Sequence, residues 1–139
     1  MNETAVSTVK TTGIGRIALV VTRVLSGGLA ALVLFQGAMA GSFLSGNAAA
    51  LGIHEMMGTE VLTIVALATA LAALVGVRQQ WWPLAVAIVG AVGIVFQIEA
   101  GFGGQLGIHL PLGIGLFGLY LTMALVLKPT KTQDKGSNK

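Results

Sequence analysis

Long apolar runs without charge, separated by short polar breaks, dominate this chain. No Asp, Glu, Lys or Arg occurs from Val24 to Ile53, from Val61 to Val77, from Gln79 to Ile98 or from Ala100 to Leu127. A helix needs about 20 mostly apolar residues to cross a bilayer. The pattern therefore predicts four spans, roughly Ile17–Phe43, Ile53–Val77, Trp81–Gly101 and Leu106–Leu127. The second can begin near Ile53 if Glu55 and Glu60 sit at the interface or face inward. The breaks are the Gly/Ser/Asn-rich GSFLSGNAAALG, the charged turn before Trp and Pro in RQQWWP, and the glycine-rich GFGGQLG. Trp81 and Trp82 suit an interfacial anchor, and Pro83 suits the first turn of a helix.

The expected fold is all-α, an integral membrane four-helix bundle. It divides into a polar N-terminal tail (1–16), a transmembrane domain (17–127) and a basic C-terminal tail (128–139), both tails being expected to be mobile. Composition agrees: only 9% of the 139 residues are charged, against roughly 25% in soluble domains. There is no cysteine, which excludes disulfides, iron–sulfur clusters and thiol catalysis.

The spans repeat. The first hairpin contains FQGAMAG and then LGIHEMMG; the second contains FQIEAG and then LGIHLPLG. Phe–Gln, Ala–Gly and Leu–Gly–Ile–His–x–x–x–Gly recur in order, with the Ala–Gly pair displaced by one residue. The transmembrane domain thus consists of hairpins 17–77 and 81–127 in the same orientation, as in parallel repeats about an axis along the membrane normal. Such an axis brings His54 and His109, the only histidines, to equal depth. If the hairpins turn near positions 45 and 103, Gln36 lies level with His54 and Gln97 with His109. Each glutamine side-chain carbonyl is then expected to accept a proton from one ring nitrogen, aiming the other at a ligand.

Charge changes the picture in one respect. The net charge of +3 by itself is compatible with a nucleic-acid partner. With four spans, however, all eight Lys and Arg (Lys10, Arg16, Arg23, Arg78, Lys128, Lys131, Lys135 and Lys139) fall on one side. This argues for topology with both termini cytoplasmic, in a bacterial cytoplasmic membrane, with no nucleic-acid partner. A cleavable signal ending at Ala38–Ala40 is the competing reading, disfavoured because the first span has a repeat partner.

Positions i and i+4 share a helix face, so Gly58 lies below His54 and Gly113 below His109. Glycine gives a bare wall beside an axial ligand, and Gly41, Gly90, Gly93 and Gly101 offer further room. The expected ligand is haem b, with His54 and His109 as axial ligands of the iron and Gly58, Gly113, Gln36 and Gln97 around it. Close helix packing explains the glycines without a ligand. Copper or zinc held by the histidines with Glu55 and Glu99 is an alternative, with Met39, Met56 and Met57 favouring copper; no cofactor at all is another. Glu55 and Glu99 are also candidates for an outer shell or proton site, though Glu99 suits the interface, and Glu55 and Glu60 suit the positive end of a helix dipole. The GIGLFG stretch at Gly113–Gly118 lies in a membrane span, so its G-x-G-x-x-G pattern is not a nucleotide site. Gly37 and Gly41 form a GxxxG pair that suits helix packing and leaves a homo-oligomer open.

These motifs resemble those of small bacterial four-helix membrane proteins with duplicated Gln…Ala–Gly and His-x-x-x-Gly hairpins. In architecture and in His54 and His109, the chain is also similar to b-type membrane cytochromes and to the four-helix units of haem A synthase. The latter's further acidic and aromatic motifs are missing, so the resemblance implies haem binding without synthase chemistry. The expected function is electron transfer, alone or within a larger membrane redox complex that exchanges electrons with a quinol, rather than stand-alone catalysis. A haem-free accessory subunit packing on partner helices is the alternative. A small transporter is a third reading, weakened because the first span has no carboxylate.

Overall fold

A computed structural model describes residues 13–129. It is all-helical among these residues. Helix α1 spans Gly13–Leu44, α2 Ala49–Met56, α3 Thr63–Gly76, α4 Trp82–Phe102 and α5 Leu106–Val126; a π-helical segment, Met57–Leu62, joins α2 to α3 without a break. The result is four rods long and apolar enough to cross a membrane, the second running Ala49–Gly76.

Helix α1 reaches into the expected N-terminal tail. The helix already starts at Gly13, so Arg16 lies on its first turn. A charge ends an apolar run without ending a helix, because the backbone ladder continues past the hydrocarbon edge. Residues 1–12 and 130–139, the remainder of the expected tails, lie outside the described residues. The second span likewise starts at Ala49 rather than Ile53. Pro83 occupies the first turn of α4, as expected.

The hairpin turns are built on glycine. Gly46 (φ +101°) and Gly104 (φ +66°) adopt the left-handed backbone that other residues resist. Around Gly104, the N–H of Gly103 bonds the Glu99 carbonyl and that of Gln105 the Ala100 carbonyl, which satisfies the end of α4.

Each rod packs on two neighbours. Helix α1 lies between the second span and α5, and α4 lies between α3 and α5. The second and fourth spans are therefore diagonal partners, as are α1 and α4. The core runs down the centre through Leu29, Leu62, Ala66, Ile94, Leu116, Tyr120 and Met123. Buried hydroxyls of Thr22, Ser26 and Thr69 donate to carbonyls one turn back on their own helices, at 2.6–2.9 Å. At the end carrying the termini, Arg23 Nε donates to the Ala124 carbonyl (2.8 Å) and Gln80 Nε2 to the Lys128 carbonyl (2.9 Å). The first closes off the last turn of α5, whose carbonyls have no helical partner, and the second holds the chain just beyond it.

The inward positions of the second and fourth spans follow the same spacing, with one dislocation. On the fourth span the inward positions run His109, Gly113, Leu116, Tyr120, Met123 and Leu127. On the second they run His54, Gly58, Leu62, Ala66, Thr69 and Ala73. Both follow four- and three-residue steps, except that eight residues separate His54 from Leu62 and seven separate His109 from Leu116. The π segment absorbs that extra residue. Its wider turn keeps Gly58, Leu62 and Ala66 facing inward, where an unbroken α-helix would have rotated them away.

Candidate functional site

Four polar side chains meet in one layer near the end of the bundle away from the termini. The backbone carbonyls of Gln36 and Gln97 face the histidines across each hairpin: His54 Nδ1 lies 3.1 Å from the Gln36 oxygen and His109 Nδ1 2.9 Å from the Gln97 oxygen. Each glutamine is thus level with its histidine, as the hairpin midpoints require. The contact differs from the expected one, because the main-chain carbonyl accepts rather than the side-chain amide. A carbonyl only accepts, so Nδ1 carries the proton, and in the neutral ring the lone pair is on Nε2.

Because the second and fourth spans are diagonal, the two half-buried imidazoles meet across the bundle axis. Their ring centres are 5.9 Å apart, with planes inclined at 62°. Two imidazoles sharing one metal ion, each bonded at about 2.0–2.1 Å, stand with ring centres roughly 6 Å apart. The separation fits such a ligand pair.

The glycines serve another purpose than the one expected of them. A Cβ on Gly58 would meet the amide nitrogen of Gln36 at 2.7 Å, and one on Gly113 that of Gln97 at 3.0 Å. The notches beneath the histidines hold glutamine amides, not the open wall expected for a macrocycle. Gly101 makes room for the ring of His109, whose Cε1 and Nδ1 would lie 3.0 and 3.1 Å from an added Cβ. Gly93 accommodates Leu116, Gly90 accommodates Tyr120, and Gly41 faces open space.

The two amides are bonded differently. Gln36, only 7% exposed, donates from Nε2 to the His54 carbonyl at 2.9 Å. Its Oε1, like that of Gln97, is buried without a partner. Buried amide oxygens are normally paired, so this layer has two unused acceptors. A haem between the histidines requires the amides to leave the glycine notches. That costs Gln36 one hydrogen bond, and Gln97 has none to lose. The donors therefore fit axial ligation, while the flanking space must be opened.

The carboxylates stay apart from the pair. Among the described residues no group of three or more His, Asp and Glu forms, so the expected mixed site of His54, His109, Glu55 and Glu99 is not assembled. Glu55 and Glu99 are exposed, and Met56 is half exposed. Glu60 departs furthest from expectation. It lies eleven residues beyond the first residue of α2, within the π segment, well past the single turn over which a helix dipole acts. The sequence reading missed both the π segment and the buried Tyr120, whose hydroxyl has no partner. The eight-against-seven spacing was the available signal for the first. No protein family model, curated protein or solved structure matches the chain.

Proposed function

We propose that this is a membrane electron-transfer protein, or the corresponding subunit of a membrane redox complex, that holds haem b between His54 and His109. The observation that carries the reading is the pair of imidazoles. They come from equivalent positions of two repeated hairpins, lie 5.9 Å apart across the bundle axis, and are each fixed through Nδ1 by a main-chain carbonyl. A carbonyl on the far ring nitrogen orients an axial histidine and raises its basicity. Bound there, the haem supplies one-electron chemistry. The chain's own residues supply the rest: the histidines ligate, the carbonyls of Gln36 and Gln97 hold the rings, and the apolar layer of Leu62 and Leu116 keeps water out. The unused Oε1 atoms are acceptors for polar groups of the ligand.

Both histidines lie at the end away from Arg16, Arg23, Arg78 and Lys128. With those basic residues cytoplasmic, the haem lies toward the outer leaflet. The protein purified from haem-supplied cells is expected to show a Soret band that disappears in the His54→Ala/His109→Ala variant. An ultraviolet-only spectrum overturns the reading.

A second reading rests on the filled glycine notches. In it the four-residue layer is a hydrogen-bonded brace of a haem-free accessory subunit. The same variant then has no spectrum to lose, and only its thermal stability falls.

A further inference from the structure

With the four rods taken as crossing a bilayer, Glu60 falls near its middle, on the outward face of the second rod. Helix α4 fixes the depth: Gln97 lies fifteen residues from Trp82 at one end and five from Phe102 at the other. At 1.5 Å per residue these are about 22 and 8 Å, together the roughly 30 Å of a hydrocarbon core. The midplane is then about 7 Å from the glutamine–histidine layer toward the termini. Glu60, six residues past His54, lies about 9 Å from that layer. It is exposed, and its carboxyl makes no hydrogen bond or ion pair among the described residues. Thr63, three residues on, has its hydroxyl buried and unbonded rather than turned to Glu60.

The extra residue of the first hairpin accounts for this position. Between the inward positions Gly58 and Leu62 lie Thr59, Glu60 and Val61; between Gly113 and Leu116 lie only Ile114 and Gly115. Glu60 belongs to an insertion that the fourth span does without. An insertion that places a carboxyl against hydrocarbon is costly unless something covers it, since lipid chains offer neither donor nor counter-charge.

The face around it suits another helix. Glu60, Ile64, Leu67, Leu71 and Leu74 are all exposed and follow alternating steps of four and three residues, the seam of left-handed helix pairs. We propose that this stripe packs on the same stripe of a second copy of the chain. A parallel copy necessarily presents Glu60 at the same depth. Across a two-fold axis the two carboxyl groups meet, each offering the other the polar partner that lipid chains cannot, so the surface is complementary to itself. No Lys or Arg of the described residues lies at that depth to serve instead. The stripe is separate from Gly37 and Gly41 on α1 and from the histidine site, so the proposal stands independently of haem binding.

The chain has no cysteine, so single cysteines report directly on contacts of the full-length protein in its membrane. Oxidative cross-linking at Ile64→Cys, Leu67→Cys and Leu71→Cys is expected to give at least five times more dimer than at Val89→Cys and Val92→Cys on exposed positions of α4. In the Leu67→Cys background, Glu60→Gln, which still donates and accepts, retains most of the cross-link, and Glu60→Ala lowers it at least fivefold. Because Glu60 is outside the core, both variants keep the helical content of the parent by circular dichroism. Cross-linking no stronger than on α4, a cross-link to a different protein, or a dimer indifferent to Glu60→Ala each overturns the proposal.

Discussion

The two hairpins carry the same polar layer and build it on different helices. In the first, the rod below the histidine holds an extra residue in a π turn; in the second, it is a regular α-helix whose only irregularity is Pro111. In the first, Gln36 bonds the histidine's main chain; in the second, Gln97 makes no such bond, and Gly101 admits the ring where the first has Ala40. The cores are exchanged as well. Counting from the glutamines and histidines, and allowing for the extra residue of the π segment, Leu29 and Ala66 of the first hairpin correspond to Gly90 and Tyr120 of the second. Large on the odd span and small on the even one becomes small on the odd and large on the even. What the copies share is the level of the polar groups and the direction of the faces; side-chain size and helical winding are free to drift where a neighbour compensates.

Removing one residue should break the symmetry most sharply. Deleting Ile114 turns Leu116, Tyr120 and Met123 by about 100° out of the core and should unfold the bundle. Deleting Thr59 removes the insertion instead, letting an α-helix replace the π turn, and should leave a folded protein. Thermal unfolding in detergent separates the two; equal loss in both would mean that the π segment is not an absorbed insertion. Next in size is the exchange of core residues. Gly90→Leu drives a side chain into Tyr120, whose Cζ would lie 2.6 Å from the first added carbon, and should cost about 3 kcal/mol. Adding Tyr120→Ala rebuilds the Leu/Ala pair of the first hairpin and should recover more than half of that. The smallest effect concerns the amides. Gln36→Met loses a hydrogen bond that Gln97→Met does not, so it should be the more destabilising by about 1 kcal/mol.

Hydropathy made the four spans legible, since uncharged runs of this length have few other uses. The repeated phrases made the histidine layer legible too: equal sequence distance from a turn means equal depth. Winding and side-chain roles were harder to see. In α4 and α5 nearly every residue is apolar, so no polar stripe distinguishes the inner face, and only small residues and spacing hint at it. In the second span the π turn showed only as one extra residue in the spacing of inward positions, and with it went the outward position of Glu60, which sequence distance alone assigned to a helix end. The notches at Gly58 and Gly113 were recognised as space, but their occupants, the amides of Gln36 and Gln97, come from other helices. The step from backbone carbonyl to ring nitrogen was equally invisible, because every residue has a carbonyl and only the fold decides which one a histidine meets.

The contact between Arg23 and the Ala124 carbonyl joins the first rod to the last. The ring of helices is therefore open until synthesis is nearly finished. While the later spans are being made, α1 lacks α5, the second of its two neighbours, and the first hairpin's Gln36 and His54 have no counterparts across the axis. A nascent chain halted after residue 77 would present an unfinished groove to the lipid or to the insertion machinery, and only arrival of the C-terminal rod would seal it.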